Sequence, residues 1–182
     1  VELKKKPTNG ARPVIHYFYS FRSPYTYISI PRVRALARHY NAELRLRFIL
    51  PMVMRGLPVP RNKSLYIMRD TKREADRVGL PFGRIVDPRG AATERAIAVL
   101  NRAIPLGKGE AFSESFLRGV WSEGIDGASD AGLNQMAERA GLDSAFVAAA
   151  LADESWRPIA EANRQELFAM GLWGAPTLRV ND

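Results

Sequence analysis

Residues 13–20, Pro-Val-Ile-His-Tyr-Phe-Tyr-Ser, are a run of β-branched and aromatic side chains with almost no polar alternation. Such a run predicts a short strand buried on both faces. The pattern then changes to helical spacing. Ser23 stands where an N-cap belongs and Pro24 where the first helical residue belongs, and the helix is predicted to run to about Tyr40. Pro31 should kink it, and Arg38 and His39 put cations in its last turn, where the dipole favours them. Residues 42–50 alternate apolar and polar: Leu44, Leu46 and Phe48 share one face, Arg45 and Arg47 the other. That is a half-buried strand near a sheet edge. Strand, helix and strand in this space make a βαβ unit, for which a right-handed crossover is expected.

The chain then changes character. From Pro51 to Pro60 it is rich in Pro, Gly and Met and reads as a loop. Between residues 62 and 152 the periodicity is helical, predicting helices at 62–79, 92–103, 109–122, 129–140 and 143–152. Ser129 or Asp130 caps the fourth of these and Gly141 ends it. A further helix over 155–170 stops at Gly171, and residues 176–181 begin a strand. The implied organisation is a discontinuous α/β domain, residues 13–50 and 153–182, with a helical insertion at 51–152 and a loose polar tail at 1–12.

Composition narrows the chemistry. The 182 residues fit one compact domain, and 46% hydrophobic with 25% charged is ordinary for a globular protein. No apolar run approaches the ~18 residues of a membrane span. No apolar segment follows the N-terminal lysines, so no signal peptide is expected and the cytoplasm is the default compartment. The sequence holds no cysteine, which excludes a disulfide framework, a Cys-x-x-Cys pair and a thiolate metal site. With two histidines, His16 and His39, no metal is expected either. Net charge is +8, with the densest basic cluster from Arg32 to Arg47. That suits anionic small molecules. Aromatics are not interleaved with the basic residues outside that cluster, so nucleic acid is not an expected partner.

Two short motifs carry the candidate chemistry: Ser23-Pro24-Tyr25 at a strand-to-helix junction, and Gly174-Ala175-Pro176-Thr177 opening the last strand. The first offers a helix N-terminus, where partial positive charge gathers. The second offers an X-Pro turn. Each has a plain reading, as a helix cap and as a turn before an edge strand.

Together with their flanks, these motifs resemble a known family. Phe18-Tyr19-Ser20-Phe21-Arg22-Ser23-Pro24-Tyr25-Thr26-Tyr27-Ile28 is similar to the F-Y-x-D-x-x-S-P-Y-x-Y-L opening of 2-hydroxychromene-2-carboxylate isomerases and kappa-class glutathione transferases. Lys63-x-x-Tyr66-x-x-x-Asp70-x-x-Arg73-x-Ala75, followed by Gly79-Leu80-Pro81-Phe82, resembles a second family segment. Gly171-Leu172-Trp173-Gly174-Ala175-Pro176-Thr177 resembles the G-x-x-G-x-P-T loop. The resemblance covers about residues 13–182 and implies a thioredoxin-like α/β fold of the DsbA-like branch, with an inserted all-helical subdomain.

It also implies a cysteine-free site to which glutathione, as cofactor, brings the sulfur. Ser23 would position and stabilise the thiolate; Pro24, Tyr25, Ala175 and Pro176 would complete the glutathione site, with the Ala175-Pro176 bond cis. The implied reaction is isomerisation of an aromatic or conjugated carboxylate, in which the thiolate adds, permits bond rotation and leaves. A kappa-like transferase and an inactive thioredoxin-like binding module are the alternatives. Dimers are common in the family, so a homodimer stays open. Two departures stand out. Ser20 replaces a family acidic residue, and the family's glutathione-contacting Asn has no clear counterpart, Asn62 being the nearest candidate.

Other residues divide between roles. Tyr25, Tyr27 and Tyr66 flank a planar substrate or pack in the core. Lys63 meets a substrate carboxylate or is simply solvated. Asp70 and Arg73, three apart on one helix face, pair with each other. His16 reads as a satisfied core histidine, and Met52 with Met54 as pocket lining.

Overall fold

In the computed structural model, which describes residues 12–181, the apolar run becomes strand β1 (Val14–Tyr19), every residue after Val14 buried. It is central because both neighbours need its backbone. β2 (Glu43–Phe48) pairs with it in parallel, Val14 opposite Glu43 through Tyr19 opposite Phe48. β3 (Thr177–Val180) pairs antiparallel, Phe18 opposite Thr177 and Ile15 opposite Val180. The mixed sheet therefore has the order β2-β1-β3. Helix α1 (Pro24–His39) joins β1 to β2 and runs through Pro31 as one element.

After β2 come a 3-10 turn at Met52–Arg55 and helices α2 (Arg61–Arg77), α3 (Ala91–Ala103), α4 (Gly109–Ser122), α5 (Asp130–Glu138), α6 (Ser144–Leu151) and α7 (Trp156–Ala169). The 3-10 turn sits in the segment expected as loop, being too short to register as helical periodicity. Ser129 Oγ accepts from the Gly132 N–H at 3.0 Å, capping α5. Gly171, at φ 73°, turns the chain off α7, with its N–H on the Phe168 carbonyl at 2.8 Å. The expected tail at 1–12 lies outside the described residues except for Arg12, whose guanidinium donates to the Asn41 and Ala42 carbonyls at 3.0 and 3.2 Å. Among the described residues no helix is long and apolar enough to cross a membrane.

Period-two alternation splits β1 between two cores. Ile15, Tyr17 and Tyr19 join one large cluster with Ile30 and Val33 of α1, Phe112 and Phe116 of α4, and residues of α3, α5 and α6. Tyr17 and Tyr19 stack at 5.1 Å, and their hydroxyls bond Ser29 and Ser113 at 2.7 Å each. Phe18 faces the other way, onto Ile49 and Leu167 of α7. On that side buried Asn163 donates to the Phe48 carbonyl at 3.0 Å, pinning α7 to β2. Asn163→Ala should lower stability by about 1–3 kcal/mol, since a buried acceptor loses its donor. Urea unfolding checks this as a lower midpoint at unchanged slope.

His16 departs from expectation. It is 2% exposed, yet among the described residues neither ring nitrogen has a partner. Register places it between Arg45 and Arg179, while the nearby carboxylate of Glu166 is occupied by Arg47 and Arg179. Burial, then the positive fields of Arg179 and Arg47, lower its pKa and favour the neutral ring. It is a core residue, but not a satisfied one.

Candidate active site

The β1–α1 junction and the loop before β3 meet at the ends of neighbouring strands. Pro24 opens α1 at its first position, as expected, but the Ser23 side chain does not cap the helix. The Ser23 hydroxyl instead donates to the Ala175 carbonyl at 3.2 Å, across 152 residues of chain. The N-cap reading of that side chain is thereby corrected. The register of β3 on β1 brings Ala175 within reach, and its carbonyl takes the proton-bearing side of the hydroxyl. The first turn of α1 has no side-chain cap; Pro24 carries no N–H and the Thr26 N–H already bonds the Ser23 carbonyl at 2.9 Å, so the Tyr25 N–H and the positive end of the dipole are what it offers a ligand. The Ala175-Pro176 bond is cis.

Ser23, Pro24, Tyr25 and Ala175 line a cavity of about 470 Å3, within the roughly 300–1,000 Å3 usual for small-molecule sites. Ser20, buried, also lines it; its Oγ accepts from the Arg22 N–H at 3.3 Å, steadying the turn into α1. Trp121 reaches the cavity from α4, and its Nε1 donates to the Phe21 carbonyl at 3.1 Å. Opposite stand Lys63, Tyr66 and Ile67 of α2 and Trp173 of the late loop. Lys63 Nζ lies 5.5 Å from the Trp173 ring centroid. Arg55 spans the loop after β2 and the loop before β3, donating to the Leu50 and Trp173 carbonyls at 3.0 and 3.3 Å.

The lining is cationic. It carries Arg22, Arg55, Lys63 and Arg89 against Asp87 among its described residues. Arg22 and Asp87 form a two-pronged ion pair at 2.7 and 2.8 Å. Field lines concentrate in a cleft of this kind and favour carboxylates.

Most of the expected site residues thus come together: Ser23, Pro24, Tyr25, Ala175, Lys63 and Tyr66 share one cavity. Pro176 follows Ala175 but is not part of the lining. Asn62 is exposed on the first turn of α2, outside the lining, and is not brought to the site as a stand-in for the missing Asn. Tyr27 goes to the core side, 4% exposed, with its hydroxyl on the Pro81 carbonyl at 2.6 Å. Asp70 does bond Arg73, as expected, but also accepts from the Tyr25 hydroxyl at 2.7 Å. Met52 lines this cavity and Met54 a neighbouring one of about 480 Å3 against α7. Trp173 and Arg55 were not singled out by the sequence. A large aromatic set between Gly171 and Gly174 was the available signal for the first; Arg55 carries none.

A model of the DSBA-like thioredoxin domain matches residues 14–182. The structure of a 2-hydroxychromene-2-carboxylate isomerase superposes with a TM-score of 0.76 at 20% identity, covering 93% of this chain and 86% of that one. The cytosolic disulfide reductase DsbM from Pseudomonas aeruginosa gives 0.72 at 23% identity, over 93% and 89%. Its structure with GSH gives 0.70 over the same shares. At these identities the likeness is one of fold. No curated protein matches the chain in sequence.

Proposed function

This chain belongs to the DSBA-like thioredoxin domain family, and from that premise we propose that it is a glutathione-dependent isomerase of the 2-hydroxychromene-2-carboxylate type. It acts in the cytoplasm on an aromatic or conjugated carboxylate. The observation that carries the reading is the Ser23–Ala175 contact: a helix N-terminus and a cis-proline loop joined at a cationic cavity, in a sequence without cysteine. The neighbouring isomerase fold and the DsbM structure with GSH support it.

The residues present fit glutathione. Ser23, Pro24 and Tyr25 present the uncapped start of α1, and the cationic lining suits the tripeptide's carboxylates. When bound, glutathione would supply a thiol able to add reversibly to a conjugated double bond. Ser23 serves that thiol as a donor. Its present bond to Ala175 is long at 3.2 Å, and a charge-assisted bond to an anion is shorter and roughly twice as strong. The hydroxyl therefore turns to the ligand at little cost. Helix dipole and hydroxyl together favour the thiolate. Tyr66 and Trp173 flank the cavity for a planar acid, and Lys63 draws its carboxylate, aided by the net positive charge that Arg22 and Arg89 keep over the Asp87 they share.

The test is turnover of 2-hydroxychromene-2-carboxylate with substoichiometric glutathione. Rearranged product with all glutathione recovered supports the isomerase. A stoichiometric conjugate would replace it with the transferase reading, and no turnover with no binding would replace it with an inactive binding module.

A further inference from the structure

Asp70 stands outside the cavity lining, yet it governs what Tyr25 does within it. Tyr25 lines the cavity beside Tyr66. Its hydroxyl donates to Asp70 Oδ2 at 2.7 Å, and the other carboxylate oxygen accepts from Arg73. Each oxygen of Asp70 so has its own donor. With its side chain 16% exposed, Asp70 is held from both sides and cannot turn away without breaking both bonds. Burial first, and then the bond to Asp70, raise the Tyr25 pKa and keep the phenol protonated. A phenol whose proton is committed elsewhere offers its other surroundings only lone pairs.

We propose that Tyr25 is a fixed hydrogen-bond acceptor in the cavity, positioned by Asp70 and Arg73, which selects ligands that carry a neutral hydroxyl or N–H donor as well as a carboxylate. The proposal rests on the aromatic-acid reading of the cavity. A ligand without a donor desolvates the Tyr25 oxygen and gives nothing back, which is how sites built to hydrogen-bond a group reject analogues that lack it. An anionic oxygen at the same place meets a lone pair backed by a carboxylate and is repelled. The cations of the lining would admit any carboxylate, so choice among carboxylates falls to its neutral polar groups, of which Tyr25 is the one whose proton a carboxylate holds.

Calorimetric titration of the full chain, with and without glutathione, against cinnamate and its 2-, 3- and 4-hydroxy derivatives tests this. At least one hydroxy isomer should bind about tenfold tighter than cinnamate, the upper range of one neutral hydrogen bond. In Tyr25→Phe that preference, read as the ratio of the two affinities within the variant, should fall to about twofold or less. Asp70→Asn, which offers Tyr25 a competing donor, should weaken the preference and spare cinnamate. Equal binding of all the acids by the native protein, or a preference that survives Tyr25→Phe, overturns the role of Tyr25 and leaves the aromatic-acid site standing. No binding of any acid overturns both.

Discussion

Ser23→Ala is expected to reduce glutathione-dependent turnover by about 100- to 1,000-fold, the usual loss when one preorganised donor to a developing or resident anion is removed. The protein should stay folded. The Ser23 side chain does not cap α1, so the stability cost is that of one long neutral bond to Ala175 at 3.2 Å, about 0.5–1.5 kcal/mol. The two effects differ enough to separate. Steady-state kinetics beside a thermal melt would show a large drop in kcat with a small drop in Tm. A variant that melts like the native protein and turns over at the native rate would leave Ser23 as a tether between the two loops.

Trp121→Ala should have the largest effect on stability, because that ring joins the core to the site. It is 2% exposed. It stacks on Phe82 at 6.2 Å, and Phe82 stacks on Tyr27 at 6.4 Å. Its indole N–H holds the Phe21 carbonyl at 3.1 Å, and Phe21 packs edge-on against Phe116 at 4.8 Å. Truncating a buried aromatic to Ala costs about 3–5 kcal/mol in transfer and cavity terms. For a chain of this size that lowers Tm by about 6–20 °C. The turn from Phe21 to Ser23 loses its anchor at the same time, so ligand affinity should fall with stability. Trp121→Phe keeps most of the ring area and should lose only about 1–3 kcal/mol, the cost of an acceptor left without its donor. Melting of Trp121→Ala within a degree or two of the native protein would contradict this packing account.

Much of this was legible in the chain. The β1 run, the alternation of β2, and Pro24, Ser129, Gly141 and Gly171 as helix punctuation act over a few residues, where sequence and conformation are tightly coupled. Observed boundaries differ from the expected ones by about a residue or two, as helix ends fray. The meeting of Ser23 with Ala175 was anticipated from the resemblance, but the form it takes was not. Ser followed by Pro satisfies every local rule for an N-cap; the rule lost to an acceptor 152 residues away. Tyr25–Asp70 is of the same kind, a bond between two helices that leaves no trace in either helix's periodicity. His16 shows the reverse. Burial on β1 was readable, while the absence of an acceptor followed from how Arg47 and Arg179 had already occupied Glu166.

Under the proposed function the start of α1, with Ser23, holds the sulfur of a bound thiol as its anion. The most direct measure of this is the ultraviolet thiolate absorbance of glutathione saturating the protein, titrated against pH beside Ser23→Ala. A free thiol titrates near about 8.5. The site predicts a midpoint for the bound thiol shifted to about 7 or below, returning most of the way toward the free value in the variant. A bound thiol that titrates like free glutathione, or a midpoint indifferent to Ser23, would contradict it.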